Sequence, residues 1–187
     1  MKRSLLSAII VLVLILCFAV CLSACGSSTN DASTASDISA YEDESVAKDV
    51  DYTDKGEIAL ANAKELAALL PEEDVTEMIE EDTEHCDGAK NLEKVIGDYM
   101  EKNPEITYAY LIRSAGDSAE FLINWEDTDE YWGEEFELYE EAETALSGQP
   151  VYDKEPTTDE DGTVITGYYP IKLNGEVALV VCVDYAV

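Results

Sequence analysis

The chain has 187 residues and is strongly acidic, because 42 Asp and Glu side chains against 11 Lys and Arg give a formal net charge of −31. A surface of this charge repels the phosphates of nucleic acids and of anionic lipid head groups. The composition therefore argues against DNA, RNA and an electrostatic membrane contact, and it leaves the nature of any other partner open.

The N-terminus has the order of features that is typical of a secretory signal. Lys2 and Arg3 precede an uncharged, apolar run over 5–22, and small residues then lead to Cys25. The tetrapeptide Leu-Ser-Ala-Cys that ends at Cys25 resembles the bacterial lipobox. This resemblance implies a diacylglycerol on the Cys25 thiol, cleavage before that residue, and a location on the outer face of the bacterial cell membrane. The alternative is an uncleaved transmembrane anchor, because about 18 apolar residues can span a bilayer.

Residues 25–50 are rich in Ser, Thr, Ala and Asp and have almost no large apolar side chains. Such a segment cannot bury enough apolar surface to offset its ordering entropy, so we expect a disordered tether. As a flexible coil of about 25 residues it would span on the order of 25–30 Å. The predicted organisation is a signal peptide at 1–24, a lipidated linker at 25–50 and one folded domain at 51–187.

Helices are predicted in the first half of the domain. Lys55–Leu70 carries apolar residues on one stripe and is followed directly by Pro71. Gly88–Lys102 has apolar residues at i, i+3, i+4, i+7 and i+8, and Pro104 comes shortly after it. A short helix is predicted around Val75–Ile79, in the acidic stretch between them.

The second half has the pattern of antiparallel strands. They are predicted at Thr107–Arg113, Ala119–Trp125, Val151–Asp153, Val164–Leu173 and Glu176–Tyr185. Turns are predicted at 114–118, at 159–162 and at Asn174-Gly175, the last being a strong hairpin signal. An aromatic, acidic loop at 127–135 and a helix at Glu137–Leu146 separate the two sets of strands. The pattern predicts an α+β domain with a single core.

Several short motifs stand in a recognisable order. They are Tyr-Ala-Tyr at 108–110, Gly-Glu-Glu-Phe at 133–136, Gly-Tyr-Tyr-Pro-Ile at 167–171, Asn-Gly-Glu-Val at 174–177 and Val-Cys-Val-Asp-Tyr at 181–185. The ordered set resembles a Cache-type extracytoplasmic sensor domain, the PAS-like ligand-binding module of bacterial receptors. The resemblance implies a PAS-like antiparallel sheet with a long N-terminal helix and a helical cover, and a ligand held between the sheet and that cover.

Two departures from the family pattern concern the ligand. Asn124 stands where related domains often have an aspartate, and Arg113 is followed by Ser-Ala-Gly and not by the Trp-Tyr of amino-acid-binding relatives. The motif therefore does not assign an amino acid as the ligand. No signalling domain follows in this sequence, so we expect any signal to leave through a ligand or a partner protein.

Aromatic residues concentrate in the segments that would form the ligand pocket. Tyrosine offers a flat apolar face and a hydroxyl, which suits a small-molecule site, although strand aromatics also favour core packing. The candidate ligand-binding residues are Tyr108, Tyr110, Arg113, Asn124, Trp125, Tyr131, Trp132, Tyr152, Tyr168 and Asp184.

Two charged residues among these candidates bear on the class of ligand. Arg113 is the only arginine after the signal, and its guanidinium suits a carboxylate, with pairing to an acidic side chain as the alternative. Asp184 suits an amine, with a role in fixing the pocket backbone as the alternative. Arg113 and Asp184 in one pocket would suit a zwitterion, whereas Asp184 with aromatic rings alone would suit a cation. The expected ligand is thus an amino acid, a carboxylate or an amine.

The sequence contains no motif of catalysis. His85 and Cys86 are adjacent and so diverge on a helix, no second histidine completes a zinc site, and 159–162 lacks the spacing of a calcium loop. We therefore expect no enzyme, no cofactor and no metal. Cys86 and Cys182 form a disulfide or stay unpaired, and the sequence leaves both alternatives open.

The predicted function is that of a lipid-anchored extracytoplasmic domain that binds a small polar metabolite. It would act in sensing or in delivery, through a membrane receptor or transporter. The alternative is a protein-interaction module with a vestigial pocket, which docks by its acidic surface.

Overall fold

The computed structural model describes residues 51–126, 128–158 and 162–187. The predicted signal peptide, Cys25, the linker up to residue 50 and most of the turn at 159–162 lie outside the described residues. Within the described part, no helix combines the length and apolar character needed to cross a membrane.

Three helices open the domain: α1 at Thr53–Leu69, α2 at Glu72–Glu81 and α3 at Asp87–Met100. Helix α2 is longer than the prediction around Val75–Ile79, because three acidic residues in its first turn complement the positive end of the helix dipole. It ends at Asp82, which adopts a left-handed conformation with φ 50°.

The remaining elements build one sheet with a short helical cover. The strands are β1 at Ile106–Ala115, β2 at Ser118–Asn124, β3 at Glu135–Phe136, β4 at Val151–Tyr152, β5 at Thr157–Thr158, β6 at Thr163–Leu173 and β7 at Glu176–Ala186. Their order is β3-β2-β1-β7-β6-β4, with β5 also on β6, and every pair is antiparallel. The α+β prediction with an antiparallel sheet is confirmed.

Two short helices lie between the strand sets. Helix α4, at Thr128–Tyr131, occupies part of the loop predicted over 127–135, and α5 spans Glu140–Leu146. The predicted helix from Glu137 begins three residues later, because Tyr139 is extended and serves as the N-cap.

The sheet has two buried faces, because side chains alternate along each central strand. On β7, Leu179, Val181 and Val183 pack with residues of α1–α3, and we call this side the helix face. Val180 and Cys182 point the other way and pack with residues of β3 and α5, on what we call the cavity face.

Strand β6 makes an unusually close contact with α1. A Cβ added at Gly167 would lie 2.3 Å from the carbonyl carbon of Ala59 and 2.5 Å from its oxygen. Only a glycine permits this approach of helix backbone to strand backbone. The contact fixes α1 on the helix face, so the opposite face is left to α5 and the connecting segments.

Candidate functional site

The cavity face carries a cavity of about 560 Å³, the larger of two adjoining cavities described below. Its floor is formed by β1, β6 and β7, and its walls by α5 and the segment 153–157. This arrangement, a pocket between the sheet and its cover, is the one that the sequence resemblance implies.

The strand register explains which side chains form the floor. Thr166 of β6 stands opposite Asp184 of β7, and Tyr168 stands opposite Cys182, which in turn stands opposite Tyr110 of β1. These residues are two apart on their strands and therefore share the cavity face.

Thr166 holds two carboxylates at the bottom of the larger cavity. Its hydroxyl Oγ1 donates to Oδ1 of Asp184 over 2.8 Å, and its backbone N–H donates to Oδ2 of Asp153 over 3.1 Å. The hydroxyl of Tyr110 also donates to Oδ1 of Asp184, over a longer 3.4 Å. Asp184 is 9% exposed, so this network lies in a largely water-excluded part of the site.

Burial dominates the titration of the groups around this network. It raises the pKa of Tyr110 and of Tyr168 far above the usual tyrosine range, and the nearby carboxylates add to the effect. Both hydroxyls are therefore neutral donors at physiological pH. Burial also raises the pKa of Asp153 above its ordinary 3.8, and hydrogen bonds from Thr166 and Tyr168 oppose that shift.

The rim of the larger cavity is acidic. Glu140 and Glu141 of α5 and Glu155 of the connecting segment line it together with the buried Asp184 and the half-buried Asp153. Lys154 is the one basic side chain among the described lining residues, and its Nζ lies 3.7 Å from Oε1 of Glu140 and 3.5 Å from Oε1 of Glu141. Acidic groups thus outnumber basic ones in this cavity.

A smaller cavity of about 200 Å³ adjoins the larger one. Tyr110 and Asp184 line both cavities, so their hydrogen bond lies on the boundary between them. The remaining lining residues of the smaller cavity are Tyr108, Phe121, Asn124, Glu126 and Tyr131.

Six of the ten candidate residues line these cavities, and four do not. The six are Tyr108, Tyr110, Asn124, Tyr131, Tyr168 and Asp184. Trp125 packs its ring over Gly97 of α3, Tyr152 packs over Gly56 of α1, and Trp132 packs against the core of the helix face. The structure therefore separates these three aromatic residues from the cavities.

Arg113 also lies outside both cavities. Its Nε lies 2.5 Å from Oε1 of Glu120 and its terminal NH2 lies 2.5 Å from Oδ1 of Asp82. This is the alternative stated from the sequence, the pairing of the guanidinium with acidic side chains. Arg113 and Asp184 are therefore not in one pocket.

Other residues of the cavities escaped the sequence analysis. Thr166 could have been found, since it is two positions before Tyr168 on the same strand and must share its face. Asp153 had no comparable signal, because its place depends on the path of the chain after β4. Phe136 and Tyr139 reach the larger cavity through β3 and the start of α5.

Cys86 and His85 lie away from the network, whereas Cys182 lies between Tyr110 and Tyr168 on the cavity face. Both Cys86 and Cys182 are free thiols; Cys86 caps α3 by accepting from the N–H of Ala89, and Cys182 is buried on the cavity face. Ligand atoms of His85, Glu84 and Asp129 lie within 4.8 Å of one another. They form a mostly exposed surface group, and the expectation of no metal stays a prediction.

No protein-family model matches the chain, and no curated protein matches it. Solved structures that are similar to the chain include ligand-binding domains of a bacterial chemoreceptor. They include the ligand-binding domain of Campylobacter jejuni chemoreceptor Tlp3 in complex with 4-methylisoleucine, at 16% identity and a TM-score of 0.43. The same domain in complex with L-valine matches at 15% identity and a TM-score of 0.40. The matches cover 70% of this chain and 49% and 50% of those chains, so the chain spans about half their length.

Proposed function

We propose that this chain is an extracytoplasmic lipoprotein that binds a small polar metabolite and acts in sensing or in ligand delivery through a membrane partner. The observation that carries the proposal is the larger cavity. Its volume of about 560 Å³ falls within the roughly 300–1,000 Å³ of small-molecule sites. Its aromatic side chains and the carboxylates that Thr166 holds in place supply the apolar surface and the positioned polar groups that such sites combine.

A ligand screen tests this proposal. The chain without residues 1–24, carrying Cys25→Ala so that no lipid is attached, is screened by thermal shift against amines, amino acids, small carboxylates and nucleobases. We expect one class to raise the Tm in a saturable way, because a ligand that binds only the folded state stabilises it. If no compound changes the Tm at millimolar concentration, the ligand-binding proposal fails.

A second experiment tests the lipid anchor. In a bacterial host, the full chain should sediment with the membrane fraction, and the Cys25→Ala variant should lose that association, because the acyl chains supply the membrane affinity. The variant should fold and bind ligand as the unlipidated parent does. Retention of residues 1–24 on the parent chain at the membrane, seen by mass spectrometry, would favour the alternative, an uncleaved apolar anchor.

The acidic face of α2 favours a second candidate function, a protein-interaction module. Five glutamates of this helix are exposed, namely Glu72, Glu73, Glu77, Glu80 and Glu81. A partner with a basic face would bind this surface in a salt-sensitive manner. Specific co-purification that is lost at high salt, with no effect of any small ligand, would support this function over the first.

A further inference from the structure

The cavities differ from a site for amino acids in one respect: among the described lining residues the one cationic group, Lys154, already faces two glutamates of α5. From this we propose that the ligand is a small organic cation, an amine that carries no carboxylate. The inference rests on the proposed function, since it concerns the same cavities. Its support comes from the hydrogen-bond donors, the aromatic walls and the positions of the basic side chains.

The donors at the floor of the larger cavity are already directed at carboxylates. The hydroxyl and the backbone N–H of Thr166 donate to Asp184 and Asp153 respectively, and the hydroxyl of Tyr110 donates to Asp184. What this floor offers a ligand is therefore chiefly acceptor oxygen. An ammonium group has only donors, so it complements this floor, whereas a carboxylate has only acceptors and does not.

Aromatic rings flank the two carboxylates. Tyr110, Phe136 and Tyr168 line the larger cavity, and the ring centroids of Tyr110 and Phe136 are 6.1 Å apart. Faces of aromatic rings attract cations, and their apolar surface accommodates the carbon skeleton of an amine. A buried carboxylate beside aromatic rings is thus a suitable environment for an organic cation.

The basic side chains are placed where a ligand carboxylate cannot use them well. Arg113 lies outside both cavities and is paired with Asp82 and Glu120. Lys154, the basic residue at the rim of the larger cavity, faces two glutamates of α5. A ligand carboxylate in this cavity would also approach the carboxylate groups of the floor, and like charges at short distance repel.

The lining of the smaller cavity, which shares Tyr110 and Asp184 with the larger one, also favours a cation. Its lining includes the carboxylates of Asp184 and Glu126, the amide of Asn124 and the rings of four aromatic residues, with no basic side chain among the described lining residues. Asp184 lines both cavities, so the acidic and aromatic residues of either cavity favour a cation that contacts it.

Matched compounds that differ only in their charged groups test the inference. Binding of phenethylamine, phenylalanine and 3-phenylpropionate, and of isopentylamine, leucine and 4-methylpentanoate, is measured by calorimetry on the unlipidated chain described above. We expect one or both amines to bind at least about tenfold more tightly than the matching amino acid, because the added carboxylate meets like charge. The two carboxylates without an amine should not bind.

The possible results separate the inference from the proposed function. Binding of an amino acid or a carboxylate as tight as that of its matching amine overturns the inference and leaves the proposed function standing. Absence of binding by all six compounds at millimolar concentration overturns the inference, and the broader ligand screen then decides the proposed function on its own.

Two variants locate the binding to the buried carboxylate. Asp184→Asn keeps an acceptor for Thr166 but removes the charge, and it should weaken amine binding by about tenfold or more. Glu176→Gln removes one charge from an exposed position on the same strand and should change the affinity by less than about twofold. Equal effects of the two variants would mean that the amine responds to the net charge of the chain, which overturns the assignment of the site. A melting curve of each variant checks that it is folded.

Discussion

At the scale of single residues, the central feature is a threonine between two carboxylates. Thr166 supplies a hydroxyl to Asp184 and a backbone N–H to Asp153, so each carboxylate has a fixed position in a partly desolvated site. Removing a carboxylate from water costs free energy unless hydrogen bonds compensate for the lost hydration. At Asp153 the compensation is incomplete, because burial raises the pKa of this carboxyl despite its hydrogen bonds.

Asp153→Asn should stabilise the ligand-free protein at neutral pH. A carboxyl whose folded-state pKa lies above its unfolded value of 3.8 binds more protons in the native state, so its contribution to stability falls as the pH rises through that window. The substitution removes this contribution and leaves an amide oxygen to accept from Thr166. We expect the Tm to rise by about 3 °C at pH 7, and the gain to shrink as the pH falls towards 3.8.

Melting curves of Asp153→Asn and the parent chain, recorded over a range of pH, check this prediction. The groups that face Asp153 are Thr166 and Tyr168 of β6 and Glu141 of α5, and none of them is changed. A variant that melts below its parent at pH 7 would show that the charged form of Asp153 stabilises the fold.

At this scale, the sequence analysis named six of the 19 described residues that line the two cavities. Tyr110, Tyr168 and Asp184 were accessible to prediction because alternation along a strand assigns side chains to a face. Trp125 and Tyr152 are also aromatic, yet their rings pack over glycines of the helices and do not line a cavity. No local sequence pattern distinguishes an aromatic residue that lines a cavity from one that packs against a helix.

At the scale of elements, the position of α1 depends on Gly167 of β6, which has no side chain to keep the helix away from the strand. Gly167→Ala should destabilise the domain by about 2–4 kcal/mol, because the new methyl would overlap the backbone of Ala59 and force the helix away from the sheet. Urea unfolding followed by circular dichroism measures the change. Lys172→Ala, at an exposed position of the same strand, is the control and should have little effect. Equal stability of both variants would contradict the close contact.

Arg113 joins the end of α2 to the β1–β2 hairpin. Its two ion pairs are only partly buried, so we expect Arg113→Ala to lower the free energy of unfolding by about 1 kcal/mol. Added salt should reduce that difference. The affinity for the ligand should not change, since Arg113 lies outside both cavities.

The effect of Arg113→Ala on binding is measured by calorimetry with whichever ligand the screen identifies. A large loss of affinity without a loss of stability would restore the role in ligand contact that the sequence suggested. Arg113→Lys serves as a second variant, because a single ammonium cannot hold both carboxylates with the geometry of a guanidinium.

The long elements could be predicted, whereas two of the short strands could not. The hydrophobic repeat located α1 and α3 to within two residues at each end, and Asn174-Gly175 located the β6–β7 hairpin. Strands β3 and β5 have two residues each, which is too few to show the alternation of apolar and polar residues that indicates a strand. They form because β2 and β6 offer them backbone hydrogen bonds.

At the scale of the whole molecule, the dominant property is its negative charge. A formal charge of −31 on 187 residues means that the folded chain repels itself, and folding brings these charges closer together. Because salt screens interactions between exposed charges, we expect the Tm at pH 7 to rise by several degrees between low salt and about 0.5 M NaCl.

Scanning calorimetry over a series of NaCl concentrations measures this effect. The same series at pH 4, where many carboxyl groups take up protons, should show a smaller rise. A Tm that is independent of salt at pH 7 would mean that the charges are spaced widely enough for self-repulsion to be negligible.

The contact of Gly167 with α1 has a mechanical consequence for a domain of this kind. Thr166 and Tyr168, the neighbours of Gly167 on β6, face the larger cavity, while Gly167 itself touches the helix on the opposite face. Helix and strand meet there backbone to backbone, with no compliant side chain in between to absorb a displacement. A movement of β6 by a few tenths of an ångström must therefore displace α1 by a similar distance.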